Sequence, residues 1–323
     1  MSVIEGRQRW SLLILGPWAT VLVTTMPALP IKKADIVRDL AKLRLPEAGL
    51  LFLHSSLSAI GNVQGGAATV VDALMDALGP EGTLVVPGFT YPEDYPDSAD
   101  PDWVFDPTNT PSGMGAISNE LRTRDGALRS LHLWHSVTAV GPLAQSVVSA
   151  GNKVERSAWD ANSPMAWVLD RESVIMMLGV PYQNLTAVHV WEVEFNVDYR
   201  LTQDVTRRMV NERGQIIELV SQVHARADWH PGSDFTRLGE QMEDQDLVRV
   251  GHVGNAVVRM FTARDAHKMA RTMYRTDPKS FLKQGTLTPL SYGHTIQNMK
   301  GTQCVVDPDK AFPTAPPITA HQD

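Results

Sequence analysis

Apolar residues fall into two patterns along this chain: short unbroken runs, and longer stretches in which they recur every three or four positions. The unbroken runs at residues 50–53 (LLFL), 83–87 (TLVVP), 137–140 and 174–180 (VIMMLGV) are too short for helices. Rich in β-branched residues and bounded by Gly or Pro, they read as strands buried on both faces. At residues 34–43, Ile36, Leu40 and Leu43 share one face of an amphipathic helix that must end before Pro46. Residues 69–78 form a second such helix, closed by Gly79 and Pro80. Strand, loop, helix and strand in succession make a βαβ unit, so the expected class is α/β, with helices layered around a central mixed β-sheet.

Further on, residues 116–124 and 263–274 read as helices, 206–219 as a hairpin around Glu212, Arg213 and Gly214, 239–246 as a helix or loop, and 248–261 as strand-like. Residues 89–111 interleave Tyr91, Tyr95, Trp103 and Phe105 with six acids and fit no period. A stretch of that length is either a surface excursion or a binding loop. Residues 224–235 look irregular, and 308–323 read as a tail. The expected organisation is a leader-like or extension segment at 1–30, one domain at 31–285 and a C-terminal tail at 286–323. In the first segment Arg7 and Arg9 precede an apolar run, the order of a secretory leader. Gly16 and Pro17 interrupt that run and it is short for a membrane span, so an extension is the expectation, with no membrane partner and a cytoplasmic location.

With 323 residues, 43% hydrophobic and 20% charged, the chain can fill a core. Its net charge of −7 argues against nucleic acid held by a basic surface and suits a small cationic ligand. A single cysteine, Cys304, rules out an internal disulfide and a cysteine-based zinc site and fits a reducing compartment.

Chemistry concentrates after the run at 174–180. A turn at Tyr182, Gln183 and Asn184 leads to Thr186, placed as a helix N-cap, and then to His189 and Glu192 at three-residue steps on one helix face. Taken alone, that trio is equally a capping threonine beside a core histidine. The chain has no GxSxG elbow, no GxGxxG and no Walker loop. His132 and His135 lack a companion ligand set, so no metal is expected. The HxxxD string at His224 to Asp228 lacks the glycine that usually follows it.

The ordered set LLFLHSSLSAIG (50–61), GGAATVVDALMDALGPEGTLVVPGF (65–89), FDPTNTPSGMGAISNELR (105–122), RSLHLWHSVTAVGPLA (129–144), NSPMAWV (162–168), LGVPYQNLTAVHVWE (178–192) and GHVGNAVVRMFTARDAHKMA (from 251), with DPKSFL after it, resembles the aminoglycoside 3-N-acetyltransferase family. The likeness runs over about residues 34–283. It implies the antibiotic acetyltransferase fold rather than the GNAT fold, with acetyl-CoA as co-substrate, no metal, and a small cationic amine such as an aminoglycoside as acceptor. A homodimer is compatible with it. His189 matches the histidine of the family's TxxHxxE motif and would be the general base. Thr186 would donate to the oxyanion, and Glu192 would hold substrate or orient the base. Asp228 aligns with a supporting aspartate, whereas Arg226 falls where the family has a glutamate and Leu133 where it has a proline. His54, Ser55, Ser56, Arg129 and Ser130 fall on motifs that look like the family's CoA-contacting edges. Three rival readings are the same chemistry on a biosynthetic amine, a thioesterase-like hydrolase using Ser55 or Ser56, and a CoA-binding protein without turnover.

Overall fold

The unbroken apolar runs become the middle of a seven-stranded sheet in the computed structural model, which describes residues 29–45, 49–91, 96–150, 155–211, 213–227, 230–284, 295–297 and 303–305. The chain enters through α1 (Lys33–Leu43), β1 (Leu50–Ser55), the single-turn α2 (Leu57–Ile60), α3 (Gly66–Leu78) and β2 (Thr83–Pro87). Next come β3 (Val104–Phe105), α4 (Ala116–Arg122), β4 (Leu128–Arg129), β5 (Val137–Val140) and α5 (Ala144–Ser149). The second half runs β6 (Glu155–Ser157), α6 (Pro164–Leu169), β7 (Val174–Leu178), α7 (Val188–Glu194), β8 (Arg200–Val210), β9 (Ile216–Arg226), α8 (Thr236–Asp244), β10 (Arg249–Val253), β11 (Ala256–Thr262) and α9 (Ala263–Thr276). A small hairpin, β12 (Thr295–Gln297) and β13 (Gln303–Val305), follows.

The main sheet has the order β10-β11-β7-β1-β2-β5-β4. Its central trio is parallel, β1 pairing with β2 on one side and β7 on the other, while β11 and β5 pair antiparallel outside it. Because side chains alternate along a strand, β1 feeds two cores. Leu51 and Leu53 join Leu84, Val86, Met176 and Leu178 under α1, α3 and α4, where Ile36, Leu40, Val70, Leu74 and Ile117 complete the layer. Leu50 and Phe52 face the opposite way, with Val85, Ile175 and Met177, against α5 to α9. This is the helix-covered mixed sheet that the alternation of runs and amphipathic stretches predicts. No helix among the described residues is long and apolar enough to cross a membrane.

A second, four-stranded sheet, β3-β8-β9-β6, stands beside the first. The expected hairpin at 206–219 is longer than its pattern indicates: eleven residues pair on each side, from Arg200 opposite Arg226 to Val210 opposite Ile216. The polar stretch beginning at 224 therefore starts inside a strand. The strand-like run at 248–261 is two antiparallel strands folded about Gly254, whose φ is 56°. The stretch without a period contributes the short β3, whose Phe105 is buried with Leu133, Trp134 and Met209 in a third core. Residues 1–28 and 308–323 lie outside the described residues.

Gly179 ends β7 at φ 69°, and a Cβ there would lie 2.5 Å from the Cβ of Ala59 and 3.2 Å from that of Ala256. Gly179→Ala combines a disfavoured backbone with a clash against α2 and β11, and should destabilise the fold by about 2 kcal/mol. Urea denaturation at neutral pH measures the loss.

Candidate active site

Chain direction changes sides at β1, since its neighbours β2 and β7 are both parallel to it and lie on opposite flanks. The carboxyl ends of the strands at such a point form a crevice that sheet geometry leaves open. At the end of β7 the chain passes Gly179, makes a 3₁₀ turn at Tyr182–Asn184 and rises into α7. Thr186 N–H donates to the Asn184 carbonyl at 2.9 Å, and the Thr186 carbonyl accepts from His189 N–H at 3.1 Å. The expected N-cap is corrected here. The helix begins two residues after Thr186, with Ala187 as its N-cap and no side-chain capping bond, because these 3₁₀-type backbone bonds already satisfy the entry turn. The Thr186 hydroxyl oxygen is buried without a hydrogen-bond partner among the described residues.

One turn of α7 places His189 and Glu192 side by side. His189 Nδ1 lies 2.6 Å from Glu192 Oε2. A carboxylate only accepts, so Nδ1 carries the proton and Nε2 of the neutral ring keeps its lone pair. The ring is clamped edgewise by Trp159, with centroids 5.0 Å apart, and by Phe235 at 5.4 Å. The His189 side chain remains 19% exposed while Glu192 is fully buried. After α7, Asn196 takes a left-handed conformation, φ 53°, that turns the chain back. The turn brings Arg200, the first residue of β8, against the helix with its Nε 3.2 Å from the same Glu192 oxygen.

Burial holds the His189 imidazole below its ordinary value; the Arg200 charge adds to this, Glu192 opposes it, and Arg226 contributes in the lowering direction. Burial alone would raise Glu192, but the His189 contact and the Arg200 cation outweigh it and bring the carboxyl to about 2. The product is a neutral imidazole beside an ionised carboxylate near pH 7, the state in which a histidine can accept a proton. His224, on β9, is pushed down to about 3 by burial and by the neighbouring His189 and Arg200, with Glu192 opposing.

Of the residues singled out by sequence, His189, Glu192 and Thr186 come together on this turn. Asp228 lies outside the described residues. Asp234, further along the chain, accepts from the Thr236 backbone at 3.0 Å. His54 and Ser55 pair with Met177 and Leu178 at the end of β1, and Ser56 N–H donates to the Leu178 carbonyl. The Ser56 hydroxyl meets that of Ser58 at 3.1 Å, and neither Ser55 nor Ser56 hydrogen-bonds a histidine among the described residues. That arrangement gives no support to a serine nucleophile.

Arg129 and Ser130 hold the scaffold together. Arg129 donates to the Ser136 hydroxyl at 2.9 Å and to the carbonyls of Thr110 and Gly88, with its guanidinium 4.9 Å from the Phe105 ring centroid. Ser130 is buried and its hydroxyl accepts from Val137 N–H at 3.0 Å. His132 is likewise occupied, its Nδ1 accepting from the Trp134 and His135 backbones and its Nε2 donating to the Gln222 carbonyl. Glu194 pairs with His267 and Arg271, and Asp102 with Arg208. Arg200, Trp159 and Phe235 were not legible as site residues, because they reach His189 from β8, from the loop after β6 and from the turn before α8.

Comparison with known proteins bears on the family and the fold. The sequence matches the profile of the family described as aminoglycoside 3-N-acetyltransferase over residues 52–275. It is 26% identical over 253 residues to aminoglycoside N(3)-acetyltransferase IV of Salmonella sp, covering 78% of this chain and 90% of that protein. It is 29% identical over 260 residues to aminoglycoside N(3)-acetyltransferase VIII of Streptomyces fradiae, covering 73% and 89%. The crystal structure of the aminoglycoside acetyltransferase AAC(3)-IVa superposes with a TM-score of 0.67 at 26% identity, over 80% of this chain and 94% of that one.

Replacing Glu192 by Gln would leave Arg200 buried without its counter-charge and should cost roughly 3 kcal/mol of stability at pH 7. The folded carboxyl titrates below its unfolded value, so its contribution is complete above about pH 4.5 and is lost as pH falls toward 2. Denaturant titrations of both proteins should show the difference constant from pH 7 to 5 and closing below.

Proposed function

We propose, from the premise that the chain belongs to the aminoglycoside 3-N-acetyltransferase family, that it is an acyltransferase carrying acetyl from acetyl-CoA directly to the 3-amino group of an aminoglycoside, with His189 as the general base. The observation that carries this reading is the 2.6 Å contact between His189 Nδ1 and the buried Glu192. It leaves Nε2 as the one ring nitrogen able to take a proton, and the ring is exposed enough to be reached.

An acceptor amine near neutral pH is mostly ammonium and cannot attack a thioester until it loses a proton. Nε2 takes that proton and passes it to solvent; the nitrogen then attacks the thioester carbonyl carbon and gives a second proton to Nε2 as a tetrahedral oxyanion forms. Its collapse makes the amide and breaks the C–S bond, and the imidazolium returns the proton to the departing thiolate. Imidazole suits both transfers because its charge change lies close to working pH. The Thr186 hydroxyl, three residues before His189 and without a hydrogen-bond partner among the described residues, supplies a donor for the oxyanion. Asp228, aligned with the family's supporting aspartate, is assigned to orient His189.

Acetyl-CoA is placed along the carboxyl end of β1, where His54, Ser55 and Ser56 edge the crevice beside the β7 end. Arg129 and Ser130 serve this groove by fixing its walls, through Gly88, Thr110 and Val137. A 2-deoxystreptamine drug with acetyl-CoA, followed by release of free CoA thiol, tests the assignment. Turnover should require the amine, and His189→Ala should lower kcat by about 10² to 10⁴ with little change in KM for acetyl-CoA. Equal thiol release without any amine, or an undiminished His189→Ala enzyme, would overturn it.

A further inference from the structure

Arg200 is 7% exposed, an unusual position for a guanidinium unless it is paired. Three groups from different elements hold it. Nε faces Glu192 Oε2 at 3.2 Å, Nη2 donates to the Ser233 hydroxyl at 2.9 Å, and Nη1 donates to the His224 carbonyl at 3.3 Å. The planar fork is thus fixed by α7, by β9 and by the turn before α8. Glu192 Oε2 receives Arg200 and His189 together, so the carboxylate is already neutralised when the imidazole is uncharged. A proton on His189 would leave two cations around one fully buried carboxylate, where like charges interact strongly.

The other ionisable groups around the ring reinforce this balance. On β9, Arg226 is the cross-strand neighbour of Arg200, and His224 lies two pairs further along. His135 also packs on Trp159, with centroids 5.0 Å apart, and burial together with His132 and His189 keeps it uncharged. Tyr199 interacts with Glu192 and packs edgewise on His230, centroids 5.5 Å apart. Glu192 is thus the sole carboxylate touching His189 among the described residues.

We propose that Arg200 is a positioning residue for acetyl transfer: it fixes Glu192 on the Nδ1 side of His189 and keeps the imidazole neutral, with Nε2 free to take the acceptor's proton. Without that cation a buried Glu192 would share its proton with His189. The pair would then rest either as carboxylic acid and wrong tautomer or as carboxylate and imidazolium, and neither is a base. The proposal rests on His189 being the general base.

The test follows His189 by long-range ¹H–¹⁵N correlation during a pH titration of the whole protein, comparing wild type with Arg200→Gln, Arg200→Met and Arg200→Lys. In the two uncharged variants the His189 midpoint should rise by about one pH unit, the acid limb of kcat should move with it, and kcat should fall about tenfold at pH values well below both midpoints. KM for acetyl-CoA should stay within about twofold. Lys, which keeps the charge, should hold the midpoint near the wild-type value. Gln retains donors and guards against a Met variant that fails to fold. A folded Gln variant whose His189 titrates like wild type, or a Lys variant as displaced as Gln, would overturn the role. Absence of turnover by wild type on every amine would instead strike the proposed function, leaving the titration to judge Arg200.

Discussion

One buried carboxylate organises this molecule's chemistry. Glu192 has no exposure to solvent, and an ionised carboxyl in such a place is costly unless its charge is met. Arg200 meets the charge and the His189 N–H takes a share of the same oxygen, so the three side chains settle each other's protonation and orientation. Every other feature near the site serves to keep them in register: the edgewise rings of Trp159 and Phe235, the hydroxyl of Ser233, and the left-handed turn at Asn196 that returns the chain to its own helix.

The scaffold explains why so short a helix can hold the constellation. Isolated, the seven residues of α7 would not persist. Val188, Val190 and Trp191 bury its other face in the larger core. Its far end is tied to α9, where Glu194 binds His267 and Arg271 and Phe195 stacks on Tyr274 at 4.9 Å. Helix position is therefore inherited from the sheet below and from α9 beside it. The loops that carry Phe89 and His135 are in turn held by Arg129, so a residue outside the reacting atoms still shapes the wall next to Trp159.

The layered α/β architecture was legible because its strands are buried on both faces and so appear as unbroken runs, while α1 and α3 show a clear helical stripe. The contact between His189 and Glu192 was legible too, since the two lie three residues apart in one motif. What escaped were relations that no local period encodes. Arg200 is eight positions past Glu192 and across a turn, in a segment whose hairpin pairing looked as if it began at 206. Trp159 and Phe235 are far away in sequence and reach His189 only through the fold. Arg129 falls on a motif read as a CoA-contacting edge, and its neighbours in sequence say nothing of the two carbonyls that fold onto it. Thr186 looked like a cap, since the spacing cannot tell a capped helix from one entered through a 3₁₀ turn.

The account's central claim is that a proton leaves the acceptor nitrogen for Nε2 of His189. A crystal structure of the protein with CoA and an unreactive aminoglycoside analogue tests it most directly. It should show the acceptor nitrogen within hydrogen-bond distance of Nε2, the thiol of CoA on the far side of that nitrogen near Thr186, and Nδ1 still on Glu192. An acceptor nitrogen seated away from the imidazole, with another side chain in its place, would contradict the claim.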